Sequence, residues 1–311
     1  MDKEIKELQE AISKLKEEKG AVILAHYYQR GEIQEVADYI GDSLELSRRA
    51  ASLPVGVIVF CGVHFMAETA ALLSPEKRVV LPDLEAGCPL ADMATPEEVR
   101  LRREALGHPL VVCYVNTSAA VKGESYICCT SANAVEVVGK LPEEAAVLFL
   151  PDRNLGAYVK GFYPQRAIFL WPGYCPVHEG VEAEDILRLK ELHPRAKVLV
   201  HPECKPSVVE LADKVASTSG MVKYVRESGA REFIVATEKG ILHHLAKVYP
   251  EAKFYLASPR LECPDMKKIT LEKCYKSLLT LEPRVQVPPL RAGKGPEGGG
   301  EDAAVINLYK T

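Results

Sequence analysis

Three cysteines followed by proline, Cys88-Pro89, Cys175-Pro176 and Cys263-Pro264, recur at intervals of 87 and 88 residues in a chain of 311. Thiolates are soft ligands suited to zinc and to iron–sulfur clusters. The proline biases each cysteine toward an extended backbone and removes one amide donor, which fixes the direction of the thiol. A single Cys-Pro pair carries little, because an isolated cysteine is ordinarily a buried apolar filler. Three in register allow three copies of one unit to deliver a thiolate each to a common point. They form no CxxC pair, which argues against a zinc ribbon. His178, three residues after Cys175, could complete a zinc site of three cysteines and one histidine but has no counterpart in the other copies. Electron-transfer clusters take four cysteines. Three would leave one iron open, and an open metal position can hold a substrate oxygen as a Lewis acid. Spacing ranks an open cluster ahead of zinc and leaves both standing. Cys61, Cys113, Cys128, Cys129, Cys204 and Cys274 lack the threefold relation and read as core thiols.

Other residues keep the interval. Ser43, Ser131 and Ser219 are spaced 88 and 88 apart, and His26, Tyr114 and His201 are spaced 88 and 87. A period this long exceeds that of solenoids and propellers, and implies one unit copied three times. Each copy has three short β-rich runs: Val22–Ala25, Val57–Phe60 and Val79–Leu81, then Leu110–Val115, Val147–Leu150 and Ala167–Leu170, then Val198–Val200, Phe233–Ala236 and Phe254–Leu256. Helix-like segments separate them, a pattern of parallel sheets covered by helices on both faces. The expected fold is α/β: three similar three-layer αβα units with pseudo-threefold symmetry around a central cavity. Their expected limits are 1–107 (an N-terminal helix plus the first unit), 108–195 and 196–285, followed by a tail at 286–311. The helix is read in Met1–Gly20 from the spacing of Ile5, Leu8, Ile12 and Leu15. The glycine-rich Gly293–Gly300 reads as loop.

Sheets of this kind bind ligands beyond the carboxyl ends of their strands. His26, Asn116 and His201-Pro202-Glu203 follow the first run of their copies, the repeated serines and Thr218 precede helix-like segments, and the Cys-Pro pairs follow the third run. Composition sets further limits. A net charge of −4 gives no basic field for nucleic acid or anionic membrane. The longest apolar stretch, Val55–Val63, is half of what spans a bilayer. Nine cysteines without a secretion signal read as cytoplasmic thiols and ligands, not as a disulfide framework.

Ten segments, in order from about residue 20 to 282, resemble the signature segments of the quinolinate synthase family: AHYYQ (25–29), GDSLELS (41–47), GCPLADM (87–93), YVNTSA (114–119), CTSANA (129–134), PDRNLG (151–156), WPGYCPVHEG (171–180), VHPEC (200–204), STSGM (217–221) and ECPDMK (262–267). The resemblance implies an enzyme of NAD biosynthesis that condenses iminoaspartate (iminosuccinate) with dihydroxyacetone phosphate to quinolinate, losing phosphate and water. It implies one [4Fe-4S] cluster per chain on Cys88, Cys175 and Cys263, in agreement with the register argument. An aspartate-oxidising enzyme is the implied source of iminoaspartate. The implied substrate-binding residues are His26, Ser43, Tyr114, Asn116, Ser131, His201, Glu203 and Thr218. Glu203, His201, Tyr28 and Tyr114 are the implied catalytic groups. These residue types suit such a reaction. Hydroxyls and amides at helix starts hold carboxylate or phosphate, and a carboxylate beside a histidine relays protons. After about Pro283 the sequence departs from the family's usual basic and apolar C-terminal helix.

Each of these residues also has a plain structural reading. Ser43, Ser131 and Thr218 are candidates for N-caps, and Tyr28 and Tyr114 for half-buried core tyrosines. His243 and His244 read as structural or surface residues, and His178 as structural or as a support behind the site's ligands. Glu203, in an apolar context, needs a buried partner. A zinc-dependent hydrolase with a three-cysteine site and a non-enzymatic iron–sulfur sensor are the rival functions. A sensor needs no substrate cavity, so the repeated serine and histidine positions speak against it.

Overall fold

The structure, a computed structural model, describes residues 3–287; the glycine-rich stretch and most of the expected tail lie outside them. Strands β1 (Ala21–His26), β2 (Tyr39–Gly41), β3 (Val57–Cys61) and β4 (Arg78–Val80) form one sheet. Strands β5 (Leu110–Tyr114), β6 (Ile127–Cys129), β7 (Val147–Leu150) and β8 (Ile168–Leu170) form a second. Strands β9 (Lys197–Val200), β10 (Lys214–Val215), β11 (Glu232–Ala236) and β12 (Lys253–Leu256) form a third. The strand orders are β2-β1-β3-β4, β6-β5-β7-β8 and β10-β9-β11-β12. All pairings within them are parallel. One order repeated three times is one αβα unit in three copies.

The nine runs expected from the sequence are all strands. Each sheet also has a fourth, β2, β6 or β10, that was not expected. These edge strands are two or three residues long and pair with one neighbour, so they carry no usable hydrophobic pattern. Local hydrogen bonds hold the chain in register beside β2 and β10. Asp38 accepts the Ile23 amide at 2.7 Å and Asp213 accepts the Val198 amide at 2.9 Å. The central strands are long apolar runs because helices cover both faces. All four residues of β7 are buried. Full burial of a Val, Leu, Ile or Phe side chain contributes about 1.5–3 kcal/mol.

The described chain separates into two compact units. The first comprises residues 3–88, 238–251 and 262–287 and holds the first sheet. Its N-terminal helix, Lys3–Lys19, buries Ile12 and packs against the helix Leu271–Thr280. The helix Ile241–Val248 joins β11 to β12 in sequence yet belongs to this unit. Glu35 receives both His243 and Lys247, at 2.8 and 2.6 Å, and Gln34 Nε2 donates to the Gly240 carbonyl at 2.9 Å. The His244 ring packs edge-on against Tyr27 at 5.0 Å. Both histidines are thus structural. The second unit comprises residues 89–237 and 252–261 and holds the second and third sheets. A core of Val181, Ile186, Val198, Val200, Ile234 and their neighbours packs on the third sheet. No helix among the described residues is long and apolar enough to cross a membrane.

Candidate active site

In each sheet the chain leaves its first strand toward one side and returns to pair on the other. The connections therefore diverge at the carboxyl ends of β1/β3, β5/β7 and β9/β11, where open parallel sheets take ligands. His26 ends β1. Tyr114 ends β5, with Asn116 two residues on. His201 follows β9, with Glu203 two residues on.

In the second unit these residues converge on Glu203, which is 3% exposed. His178 Nδ1 lies 2.7 Å and His201 Nδ1 3.6 Å from its Oε2. Asn116 Nδ2 donates to Oε1 at 3.5 Å, and the Tyr114 hydroxyl also hydrogen-bonds the carboxylate. Asn154 Nδ2 donates to the Glu203 carbonyl at 3.0 Å. Burial alone would raise this carboxyl. The two histidines and the hydrogen bonds from His178 and Tyr114 overcome it and hold the group down to about 2. His201 moves oppositely to its usual partnered behaviour: burial pushes it down to about 3, more than the Glu203 charge raises it. A carboxylate beside a neutral imidazole is the ground state at neutral pH. Asn116 Oδ1 is buried with no hydrogen-bond partner among the described residues. A buried unpartnered acceptor costs about 1–3 kcal/mol, which a ligand donor would recover.

Two histidines are oriented alike. His26 Nδ1 accepts the Tyr28 amide at 3.1 Å, and His201 Nδ1 accepts the Glu203 amide at 3.4 Å. In the neutral ring this assigns the proton to Nε2, the donor nitrogen. The repeated hydroxyls lie just past β2, β6 and β10. The caps of the helices that follow are Asp42, Asn133 and Ser217, so none of Ser43, Ser131 and Thr218 is an N-cap. Ser43 and Thr218 are first helical residues, whereas Ser131 stands three residues before its helix. There Asn133 Oδ1 accepts from the Thr130 amide and hydroxyl, a turn that delays the helix.

All nine cysteines are free, and six are buried. The three that are only partly buried are Cys88, Cys175 and Cys263, the three in register. Cys61 hydrogen-bonds Cys274 and Cys113 hydrogen-bonds Cys128, as core thiols. Burial, and then the charges of Glu238 and Asp265, push the Cys263 thiol up to about 11. Ligand atoms of Cys175, His178 and Glu203 lie within 4.8 Å of one another. Both nitrogens of His178 are engaged, however: Nδ1 faces Glu203 and Cys175 Sγ (3.2 Å), and Nε2 faces Thr237 Oγ1 at 2.9 Å. Partly exposed soft thiols in a threefold register, beside an engaged histidine, fit a thiolate-held iron–sulfur group better than a Cys–His–Glu zinc ion.

The structure thus brings together Tyr114, Asn116, His201 and Glu203, with Cys175 alongside through His178. His26, Tyr28, Ser43, Cys88 and Cys263 belong to the first unit, and Ser131 and Thr218 to the second. Sequence alone raises His178, three residues beyond a register cysteine, as a fourth zinc ligand or as a structural or supporting residue, and assigns no role to Asn154 or Thr237.

The family model described as "Quinolinate synthetase A protein" matches residues 10–295. A quinolinate synthase of Desulforudis audaxviator is 57% identical over 282 residues, covering 91% of this chain and 93% of that protein. A quinolinate synthase of Methanosarcina barkeri is 53% identical over 282 residues, covering 91% and 92%. Quinolinate synthase 2 of Methanosarcina acetivorans is 54% identical over 279 residues, covering 90% and 89%.

Proposed function

The chain belongs to the quinolinate synthase family, and from that premise we propose that it condenses iminoaspartate with dihydroxyacetone phosphate, releasing phosphate and water to form quinolinate for NAD biosynthesis. Its substrates are small molecules. One [4Fe-4S] cluster per chain is held by Cys88, Cys175 and Cys263. The observation that carries this assignment is that the three register cysteines are also the three partly exposed thiols of nine. When bound, the cluster supplies an iron without a protein ligand, a Lewis acid for a substrate oxygen.

Glu203 is the proton-transfer group. Its ionised carboxylate accepts a proton when imine formation or dehydration requires one, and His178 and Tyr114 hold its direction. His201 and His26 present Nε2–H donors to substrate carboxylates. The Tyr114 and Tyr28 hydroxyls are donors beside the reacting atoms, and Asn116 offers its unpartnered oxygen to a substrate donor. Ser43, Ser131 and Thr218, which are not N-caps, bind carboxylate or phosphate oxygens. Iminoaspartate comes from an aspartate-oxidising enzyme, and the setting is the cytoplasm.

The test is an anaerobic assay for quinolinate with iminoaspartate and dihydroxyacetone phosphate. Brown protein that forms quinolinate, and loses both colour and activity on Cys175→Ser, supports the reading. Colourless, zinc-loaded protein with no quinolinate would overturn it.

A further inference from the structure

Two buried carboxylates share a position and a bonding pattern that neither the fold nor the reaction explains. Asp152 stands two residues past the end of β7, and Glu238 stands two residues past the end of β11. Each is fully buried. One oxygen of each accepts a backbone amide just downstream: Asp152 Oδ1 from Leu155 at 2.7 Å, and Glu238 Oε2 from Gly240 at 2.7 Å. The other oxygen accepts the backbone amide of the register cysteine: Asp152 Oδ2 from Cys175 at 3.1 Å, and Glu238 Oε1 from Cys263 at 3.2 Å.

In the first copy the corresponding residue past β3 is Val63, which has no side-chain oxygen to offer. There the next amide, His64 N–H, donates to the Ala86 carbonyl at 2.7 Å, tying the cysteine loop two residues before Cys88. All three copies therefore fasten the Cys-Pro loop to the segment that follows the corresponding strand, two with a carboxylate and one with backbone alone. An ordinary N-cap spends its side chain on its own helix. These two reach a second segment as well, and the residue they grip is in both cases the cysteine. Lys267 lies 2.8 Å from Glu238 and compensates its buried charge.

We propose that Asp152 and Glu238 are positioning residues for the metal site, each gripping the backbone of one ligand cysteine so that its thiol is held in the direction that retains the cluster. The proposal rests on the assignment of Cys175 and Cys263 as cluster ligands. Asp152→Asn and Glu238→Gln test it, because each keeps volume and one carbonyl oxygen for the downstream amide while turning an NH2 toward the cysteine amide. Asp213→Asn is the control, since Asp213 makes the same kind of bond to Val198, at the opposite end of β9 from the candidate site.

The measurement is the anaerobic rate of iron release from cluster-loaded protein to a ferrous chelator, with circular dichroism to report the fold. Changing a residue that orients a metal ligand typically costs about ten- to hundredfold in metal affinity. Iron release should accelerate by about that factor in both variants, with secondary structure retained, and stay at the wild-type rate in Asp213→Asn. If one variant fails to fold, the other decides. Wild-type release rates in a folded variant, or equal acceleration in the control, would overturn the positioning role alone. A wild-type chain that takes up no iron and sulfide would overturn the cluster assignment and this proposal with it.

Discussion

The imidazole of His178 lies 2.7 Å from the carboxylate of Glu203, with both side chains almost fully buried. Nδ1 serves this contact, and Nε2 faces the Thr237 hydroxyl at 2.9 Å. Both ring nitrogens are thus engaged, with Cys175 Sγ also 3.2 Å from Nδ1, and the ring fixes the direction of the carboxylate.

Glu203→Gln keeps the shape and hydrogen bonding of this side chain but cannot cycle a proton. Proton transfer by a positioned group is worth about a hundred- to ten-thousandfold in rate. Quinolinate formation should fall within that range while iron and sulfide content stay at the wild-type level. Near-normal turnover with intact metal content would reduce Glu203 to an orienting residue for His201.

The cysteines divide sharply by environment. Cys88→Ser, Cys175→Ser and Cys263→Ser should each strip most iron and sulfide from anaerobically purified protein. Cys61→Ser and Cys274→Ser alter a buried thiol pair and should cost stability, not metal. Analysis of iron and sulfide in the five variants checks this, and full metal retention in Cys175→Ser would defeat the ligand assignment.

The three copies were legible because the Cys-Pro pairs, the serines and the set His26, Tyr114 and His201 recur every 87 or 88 residues, and each copy has long apolar strand runs. The edge strands β2, β6 and β10 were not, because a two- or three-residue strand with one neighbour leaves no alternation to read. Glu203 was legible as an acid needing a buried partner. Its partners were not, since His178, Tyr114 and Asn154 come from other parts of the chain and only folding joins them. Asp152 and Glu238 were hidden for a further reason: in sequence an acid between a strand and a helix looks like a cap, and its second bond is made to a residue 23 or 25 positions away.

Gly173, two residues before Cys175, sits where its backbone passes close to Pro151. A Cβ there would press on the Pro151 carbonyl oxygen and approach Met93 Cβ at 3.2 Å. Backbone cannot yield as a flexible side chain can, so Gly173→Ala should displace the loop that carries Cys175. The expected outcome is loss of metal together with a fall in stability, commonly about 1–3 kcal/mol for overpacking. Gly161→Ala, where a Cβ meets nothing within 4 Å, is the matched comparison and should leave metal content unchanged. Equal metal content in the two would show that the loop accommodates the extra carbon.

The buried pair His201 and Glu203 should make the fold sensitive to acid, and the sign follows from the two shifts. His201 is pushed down to about 3 by burial, whereas in an unfolded chain it titrates near about 6.5. Between those values the unfolded chain binds a proton that the folded chain refuses, so this contribution is whole above about pH 6.5 and is lost as pH falls toward 3. Glu203, held at about 2 against burial by the histidines and hydrogen bonds around it, contributes stability above its unfolded value near about 4.3 that is lost on further acidification. Both act in one direction, with His201 entering first. Denaturant melts of the metal-free chain at about pH 7, 6 and 5 cover the His201 window while Glu203 is ionised in both states over most of it. Because burial also lowers His244, comparison with His201→Gln isolates the His201 share. Stability should fall by up to about 1.4 kcal/mol per pH unit on account of His201, and His201→Gln should remove that part of the slope. Identical slopes in the two proteins would mean that His201 binds its proton equally in the folded and unfolded chains, and that burial does not exclude that proton.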